Sequence, residues 1–285
     1  MNEQPLVSVV IPCYNHAGYV KESIESVLGQ SYKNFELIVV NDGSTDNSLE
    51  VIEALSNQHG FRVISQSNAG LTAAIDTGLK ASSGKYFVSF DSDDIMLPDR
   101  LALQVQHMEA SPGVGCCGAN FEYISADGRR VGGAPRRTKA IYKFRDVFEN
   151  PHVWVGAGTS MYRSAAIDQA GGFDLDISIQ DFQMELKVTY IGYDISFIED
   201  VVSLYRRHDE NMSSNYKKNF YVYLKTLERY KDEKGYLKAK RNIVNGALKK
   251  AVIEDKDFAK KAFSYLPIYA WNLKTFKRYR YYLTK

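Results

Sequence analysis

An apolar run from Tyr86 to Phe90 ends in Asp91-Ser92-Asp93-Asp94, three carboxylates within four residues, with Pro98 soon after. Acids this close repel one another. Open α/β sheets bind ligands just beyond the carboxyl ends of their strands, and clustered hard oxygen donors there suit Mg²⁺ or Mn²⁺ carrying a diphosphate. The residue types therefore point to a nucleotide-linked substrate held through a divalent cation.

Other segments fall at comparable places. Pro12-Cys13-Tyr14-Asn15 closes the first β-branched run and Asn41-Asp42-Gly43-Ser44-Thr45-Asp46 closes the second, so both face the same crevice. An Asp at a strand end can accept a hydrogen bond from a base N–H, and Gly43 lets the backbone turn tightly beside a ligand. Taken alone, Asp42-Gly43-Ser44 is most often just a turn with a helix cap, and the same holds for Asn68-Ala69-Gly70. Arg206-Arg207-His208 ends the last strand of an otherwise acidic body, which suits diphosphate contact by Arg and metal or phosphate contact by neutral His208. Trp154, Gly156 and Gly158 read either as part of an acceptor floor, since sugars stack on aromatic faces, or as core.

The elements that must position these groups follow from periodicity. Leu6 to Ile11, Phe35 to Val40, Phe61 to Ser65 and Tyr86 to Phe90 read as strands. Tyr19 to Leu28, Ser48 to Gln58, Leu71 to Ala81 and Asp99 to Ala110 alternate with them as helices. That alternation predicts βαβ units and a mainly parallel sheet. Ser44, Thr45, Asp46 and Asn47 offer caps for the second helix, and Pro98 fits the start of the fourth. After Val114 to Ile124 the order loosens, with a turn at Asp127-Gly128 and a Gly/Pro/Arg-rich loop over Gly132 to Arg137. Val201 to Tyr205 is the last clear strand, and the chain is helical, basic and tyrosine-rich from Tyr216.

Together these segments resemble the nucleotide-sugar-binding half of family-2 glycosyltransferases with the GT-A fold, whose signatures are similar to P-x-Y-N, V-x-D-G-S-x-D, N-x-G and D-x-D-D in this order. The resemblance covers roughly residues 5 to 210. It implies an α/β GT-A fold, Rossmann-like, with a mainly parallel sheet flanked by helices. Residues 1–124 form the nucleotide-sugar half and 125–215 the acceptor and catalytic half, with 216–285 a helical basic extension. By the same resemblance Asp42 reads a uracil edge, and Pro12, Tyr14, Asn15, Asn68 and Gly70 line the nucleotide-sugar pocket. Asp91, with Ser92 beside it, approaches the ribose or donor sugar, and Arg206 contacts the diphosphate. Asp93 and His208 ligate Mn²⁺ or Mg²⁺. Gly171-Gly172-Phe173-Asp174 and Ile179-Gln180-Asp181-Phe182 resemble the family's G-G-F-D turn and later acidic pair, which makes Asp181 the catalytic base. Here Gln180 replaces the usual Glu, which leaves the proposed base in place; the alternative is that Asp181 merely caps its helix.

The expected function is metal-dependent, inverting transfer of a sugar from a UDP-sugar to a lipid-linked glycan acceptor, in the synthesis of O-antigen or capsule. The alternative is a catalytically idle scaffold that keeps the nucleotide-sugar pocket and docks through its basic tail, with Gln180 its support. A sugar-phosphate nucleotidyltransferase and a dehydrogenase are disfavoured, because the first strand leads into Pro12-Cys13-Tyr14-Asn15 and not a Gly-rich phosphate loop or G-x-G-x-x-G.

Composition fits this reading. The 285 residues are 45% apolar and 25% charged, with no apolar run long enough to span a bilayer and no signal-like start, so a cytoplasmic protein is expected, peripheral on the inner membrane. Three cysteines without C-x-x-C spacing predict neither disulfides nor a zinc site. The net charge of +2 hides a division: residues 1–216 carry 17 Lys+Arg against 28 Asp+Glu, residues 217–285 carry 19 against 6. A basic tail of this kind suits an anionic membrane surface, and nucleic acid is not expected because no recognised nucleic-acid-binding fold accompanies the charge. From Pro267, a helical projection puts Ile268, Trp271, Phe276, Tyr279, Tyr282 and Leu283 on one arc and Lys274, Lys277, Arg278 and Lys285 on the other, with Arg280 at the boundary. Such a helix either lies in lipid headgroups or packs back on the body.

Overall fold

A computed structural model describes residues 4–133, 135–151, 158–208 and 215–284. Trp154, Gly156 and Lys285 lie outside the described residues. The chain forms two compact units, Met1–Lys143 with Val155–His208, and Phe144–Trp154 with Asp209–Lys285.

The first unit is built on one twisted sheet. Strand β1 (Val7–Cys13) has all seven residues buried, as a central parallel strand covered on both faces must. It pairs in parallel with β2 (Phe35–Asp42) and β4 (Tyr86–Ser89), and β2 pairs in parallel with β3 (Arg62–Gln66). Parallel neighbours need crossovers, and these are helices α1 (Val20–Leu28), α2 (Ser48–His59) and α3 (Leu71–Lys80). In α1 the buried Val20, Ser23, Ile24 and Val27 recur at three- and four-residue spacing, one apolar stripe against the sheet.

Beyond β4 come β5 (Ile95–Met96), α4 (Arg100–Glu109), β6 (Val114–Ser125), β7 (Arg130–Gly133), β8 (Ala140–Tyr142), β9 (Met161–Arg163), α6 (Ser164–Gln169), α7 (Gln180–Tyr190) and β10 (Asp194–Arg207), while the six-residue α5 (Phe144–Glu149) belongs to the second unit. The sheet order is β3-β2-β1-β4-β9-β6-β10-β5, with β7 beside β6 and β8 beside β10. Strand β9 enters antiparallel between β4 and β6, and the long pair β6/β10 is parallel. The result is the mainly parallel, helix-flanked sheet expected from the alternation. Gly132 and Gly133, the start of the segment expected as a loop, instead belong to β7, which pairs antiparallel with β6 as one arm of a hairpin. Cys13, Cys116 and Cys117 are buried free thiols.

The second unit is helical: α5, α8 (Tyr216–Glu228), α9 (Tyr236–Glu254), α10 (Lys256–Ser264), a 3₁₀ turn at Ile268–Ala270, and α11 (Leu273–Thr284). Asn215 and Asp255 cap α8 and α10 by accepting from Lys218 N and Phe258 N. Asn242 Nδ2 donates to Glu149 O at 2.6 Å and Lys238 pairs with Glu149, which fixes α5 against α9.

Helix α11 packs on its own unit through the rings of Trp271, Tyr279 and Tyr282 around Phe263. Arg278, placed from the sequence on the basic arc, turns inward and donates to Asn245 Oδ1 at 2.6 Å. The arc is rotated because the 3₁₀ turn and extended Trp271 interrupt the helix that the projection ran through without a break. Ile268 and Leu283 are consequently exposed. Among the described residues, no helix is long and apolar enough to cross a membrane.

Candidate active site

The loops after β1 and β2 are knitted together by their own polar side chains. Asn15 adopts a left-handed backbone, φ 54°, and its Oδ1 accepts from Thr45 N at 2.8 Å. Asn15 N donates to Ser44 Oγ, His16 N to Ser48 Oγ and Ala17 N to Asp46 Oδ2. Asp46 also accepts from Ser48 N at 3.0 Å, so the expected capping group of α2 serves both loops at once. Pro12 is buried at the end of β1, and Tyr14 is 46% exposed above it.

Asp42 is buried, and both of its oxygens are occupied within the protein. Oδ1 accepts from Gln66 Nε2 at 2.7 Å and Ala69 N at 2.9 Å, and Oδ2 accepts from Gly70 N at 2.8 Å. The carboxylate thus braces the Asn68–Gly70 segment against β2. Gly43 permits that approach: its φ is +69°, and a Cβ there would stand 2.7 Å from Asn68 N.

The carboxylate cluster leaves β4 in a tight turn, with Asp94 N donating to Asp91 O and Ser23 Oγ donating to the same carbonyl. Asp93 Oδ2 lies 2.8 Å from His208 Nε2. Asp94 Oδ1 accepts from Arg206 N at 2.8 Å, while its Oδ2 is buried with no hydrogen-bond partner among the described residues. Burial, then the charges of Asp93 and Asp181, push the Asp91 carboxyl far above the usual range; burial and the charges of Asp91 and Asp93 do the same to Asp94. Gly158, φ +73°, faces this cluster, and a Cβ on it would stand 3.3 Å from Asp94 Oδ2.

Two arginines frame the cluster. Arg100, fully buried at the start of α4, donates to Gly158 O at 2.7 Å, Gln104 Oε1 at 3.1 Å and Ser160 O at 3.4 Å, and lies over the Phe90 ring. Burial pulls its pKa down to about 10, and the charges of Asp94 and Asp91 oppose that fall. Arg206 is buried as well, and donates from Nε to Asp93 O at 2.7 Å, from Nη1 to Ala126 O at 3.1 Å, and from Nη2 to Glu22 on α1. Its guanidinium holds the carboxylate turn in place from beneath.

Asp181 lies in the first turn of α7, partly exposed. Burial pushes its pKa up to about 7, and its charge is among those that raise Asp91. The N-cap position of α7 is held by Ile179, which makes no side-chain cap bond, and Asp181 follows as the second residue of the helix. The preceding turn is fixed by Gln183, whose Oε1 accepts from Asp174 N at 2.7 Å and whose Nε2 donates to Ile177 O at 2.9 Å. Thr72 Oγ1 donates to the same Ile177 carbonyl at 2.8 Å, which ties α3 to the loop that leads into α7 and Asp181.

The sequence reading passed over Arg100, Glu22 and His16. The first two carried no signal beyond a charge on a helix, whereas His16 directly follows the Pro12–Asn15 segment. Donor atoms of His16, Asp93 and His208 lie within 4.8 Å of one another, as do those of Asp91, Asp93 and Asp94. Carboxylates with imidazoles, one carboxylate oxygen being buried and unpartnered, form a donor set that fits Mn²⁺ or Mg²⁺.

Comparison with known proteins bears on the family and the fold. Residues 8–171 match the family described as Glycosyl transferase family 2. An uncharacterised glycosyltransferase of Haemophilus influenzae is 36% identical over 153 residues, 53% of this chain and 46% of that protein, so the chain spans less than half the relative's length. Among solved structures, Staphylococcus aureus TarS 1-349 in complex with UDP-GlcNAc superposes with a TM-score of 0.69 at 19% identity, over 96% of this chain and 89% of that one. The mannosyltransferase PcManGT from Pyrobaculum calidifontis, in complex with GDP-Man and Mn²⁺, gives 0.63 at 19% identity, over 93% and 74%. At such identities the two structures establish the shared fold.

Proposed function

Because this chain belongs to glycosyl transferase family 2, we propose that it transfers a sugar from a UDP-sugar to a glycan hydroxyl with inversion, aided by Mn²⁺ or Mg²⁺. The observation that carries this reading is the Asp91/Asp93/Asp94 turn, with His208 on Asp93 and Asp181 close enough for its charge to raise Asp91. Residues 1–124 are assigned to the nucleotide sugar and 125–215 to the acceptor and the base.

Asp93 and His208 would hold the cation, which supplies positive charge against the departing diphosphate. Pro12, Tyr14 and Asn15 form the wall for the base and ribose. Asp42, through Asn68–Gly70, keeps the opposite wall in place and presents the uracil side. Asp91 and Ser92 meet the ribose or donor sugar. Arg206 is a positioning residue for the turn, and its diphosphate role is exerted through Asp93. Asp181 takes the proton from the acceptor hydroxyl as that oxygen attacks the face opposite the leaving nucleotide. One displacement leaves no covalent enzyme intermediate and inverts the anomeric centre.

The test is nucleotide release from UDP-, GDP- and dTDP-sugars with Mn²⁺, with Mg²⁺ and with EDTA. Release of UDP in the presence of metal and its loss in EDTA are expected. Donor binding without release from any donor would favour the idle scaffold.

The acceptor is assigned as a lipid-linked glycan, with the second unit meeting an anionic membrane surface. Tyr269 and Leu273 are about 80% exposed, and Lys274, Lys277 and Arg280 stand near them in sequence, all exposed. Apolar rings and cations side by side suit a headgroup layer, each cation contributing about 1 kcal/mol near the surface. Sedimentation with phosphatidylglycerol vesicles should show binding that weakens with salt. Tyr269→Ser with Leu273→Ser should reduce binding at least several-fold at an unchanged melting temperature, since both side chains face solvent. Undiminished binding in that double variant would remove this surface from the assignment.

A further inference from the structure

His16 belongs to no motif, yet its ring lies at the side of Asp93 that His208 also faces. Each of the three presents a donor atom within 4.8 Å of the other two. The position of this imidazole is tightly determined. Its backbone N–H donates to Ser48 Oγ at 2.9 Å, and its carbonyl accepts from Tyr19 N and Val20 N, both at 2.9 Å. The residue is thereby pinned between the first residue of α2 and the start of α1.

The ring is fixed as firmly as the backbone. It meets the rings of Tyr19 and His208 edge-on, each at a centroid separation of 5.9 Å, while Tyr19 stacks on His208 at 5.1 Å. One tyrosine thus sets the orientation of two imidazoles. Nδ1 of His16 lies 2.7 Å from Ser92 Oγ, a residue of the carboxylate turn itself. In the tautomer in which Nδ1 donates to Ser92 Oγ, Nε2 keeps its lone pair for a cation, the arrangement that metal-bound histidines use.

We propose that His16 is a third protein ligand of the divalent cation, forming with Asp93 and His208 a set of two imidazoles and one carboxylate, and that Ser92 positions it. The inference rests on the reading of Asp93 and His208 as metal ligands. Its consequence is metal choice. Asp93 is shared between this nitrogen-bearing group and the all-oxygen group of Asp91, Asp93 and Asp94. Mg²⁺ takes oxygen ligands and water, whereas imidazole nitrogen suits first-row transition ions, so His16 biases the site towards Mn²⁺.

The experiment titrates Mn²⁺ alone into the full chain, follows the free-ion electron paramagnetic resonance signal, and reads nitrogen couplings to the bound ion by electron spin-echo modulation. Two imidazole nitrogens are expected in the parent and one in His16→Ala. Mn²⁺ affinity should fall by about ten- to a hundredfold in that variant, with a smaller fall in Ser92→Ala. Mg²⁺ affinity, measured by competition, should move much less. A single coupled nitrogen in the parent overturns the proposal and needs no variant to fold. Unchanged Mn²⁺ affinity in a folded His16→Ala overturns it as well. If one nitrogen remains and vanishes with His208→Ala, the wider metal reading stands and only His16 is removed; absence of any Mn²⁺ binding removes both.

Discussion

Asp181→Asn is expected to bind the donor about as well as the parent and to transfer sugar about 10²–10⁴-fold more slowly, the range a positioned general base contributes. The amide keeps the shape of the carboxylate at the start of α7 but cannot accept a proton. Donor affinity by calorimetry and single-turnover rates should therefore separate. The parent's pH dependence follows from the same group. Burial holds its pKa up to about 7, so it is protonated and idle as a base below that pH, and kcat/KM should rise through about pH 7 and level off above. Stability runs the opposite way. A carboxyl that keeps its proton longer when folded than when unfolded stabilises the fold at low pH, and that contribution is lost as pH rises from the ordinary carboxylate range to about 7. The Asn variant should lack both the activity limb and this part of the stability loss, and melts at pH 5 and pH 8 will show it. If donor affinity collapses while the rate at saturation holds, the base lies elsewhere, with Asp174, Asp176 or Glu185 next to be tested.

The elements up to α4 were legible because each is a run of one period bounded by turn residues. Their ends moved little: β2 runs on to Asp42, since β3 continues the ladder to Asp42↔Gln66. What could not be read was short or irregular. Strands β5, β8 and β9 are two or three residues long, below any detectable period. Yet β9 sits antiparallel in the middle of the sheet, where register against β4 and β6 decides its place. Strand β10 starts at Asp194, earlier than the clear run from Val201, because register shifts flank Val201 just after Glu199-Asp200 breaks the alternation. Helix α5, six residues long, groups with a unit whose remaining described elements lie more than sixty residues later, a contact no local pattern encodes.

The candidate site divides in the same way. Residues at strand ends were legible because chain order and a parallel sheet bring strand ends together. How each side chain is employed was not. Asp42 and Arg206 read as ligand-facing groups from type and position, but their hydrogen bonds run to Gly70 N, Ala69 N and Asp93 O within the protein. Arg100 gave no signal, since an arginine opening a helix is ordinary until the fold closes over it and sets it behind two carboxylates. The tail projection assumed one helix from Pro267, and a single 3₁₀ turn was enough to rotate its faces.

Asp93→Ala is expected to abolish metal-dependent turnover, with a loss of at least about two orders of magnitude, because it removes the carboxylate common to both ligand groups and a hydrogen-bond partner of His208. Removing a single electrostatic element of this kind costs about 3 kcal/mol or more of transition-state stabilisation. Loss of activity alone does not separate a missing ligand from a broken fold, so the melting temperature decides. Asp93 adds charge beside Asp91 and Asp94, whose carboxyls are already forced towards the neutral form. Without metal, the alanine variant should therefore melt no lower than the parent. With saturating Mn²⁺ the parent should gain stability, since an ion that binds only the folded chain shifts the equilibrium towards it, and the variant should not. Asp181→Asn should keep that gain while losing turnover, so that the two variants fail in different measurements. Near-normal turnover in Asp93→Ala, or in the parent with excess EDTA, would leave the carboxylate turn without its cation and return Asp93 to a binding role for the donor sugar.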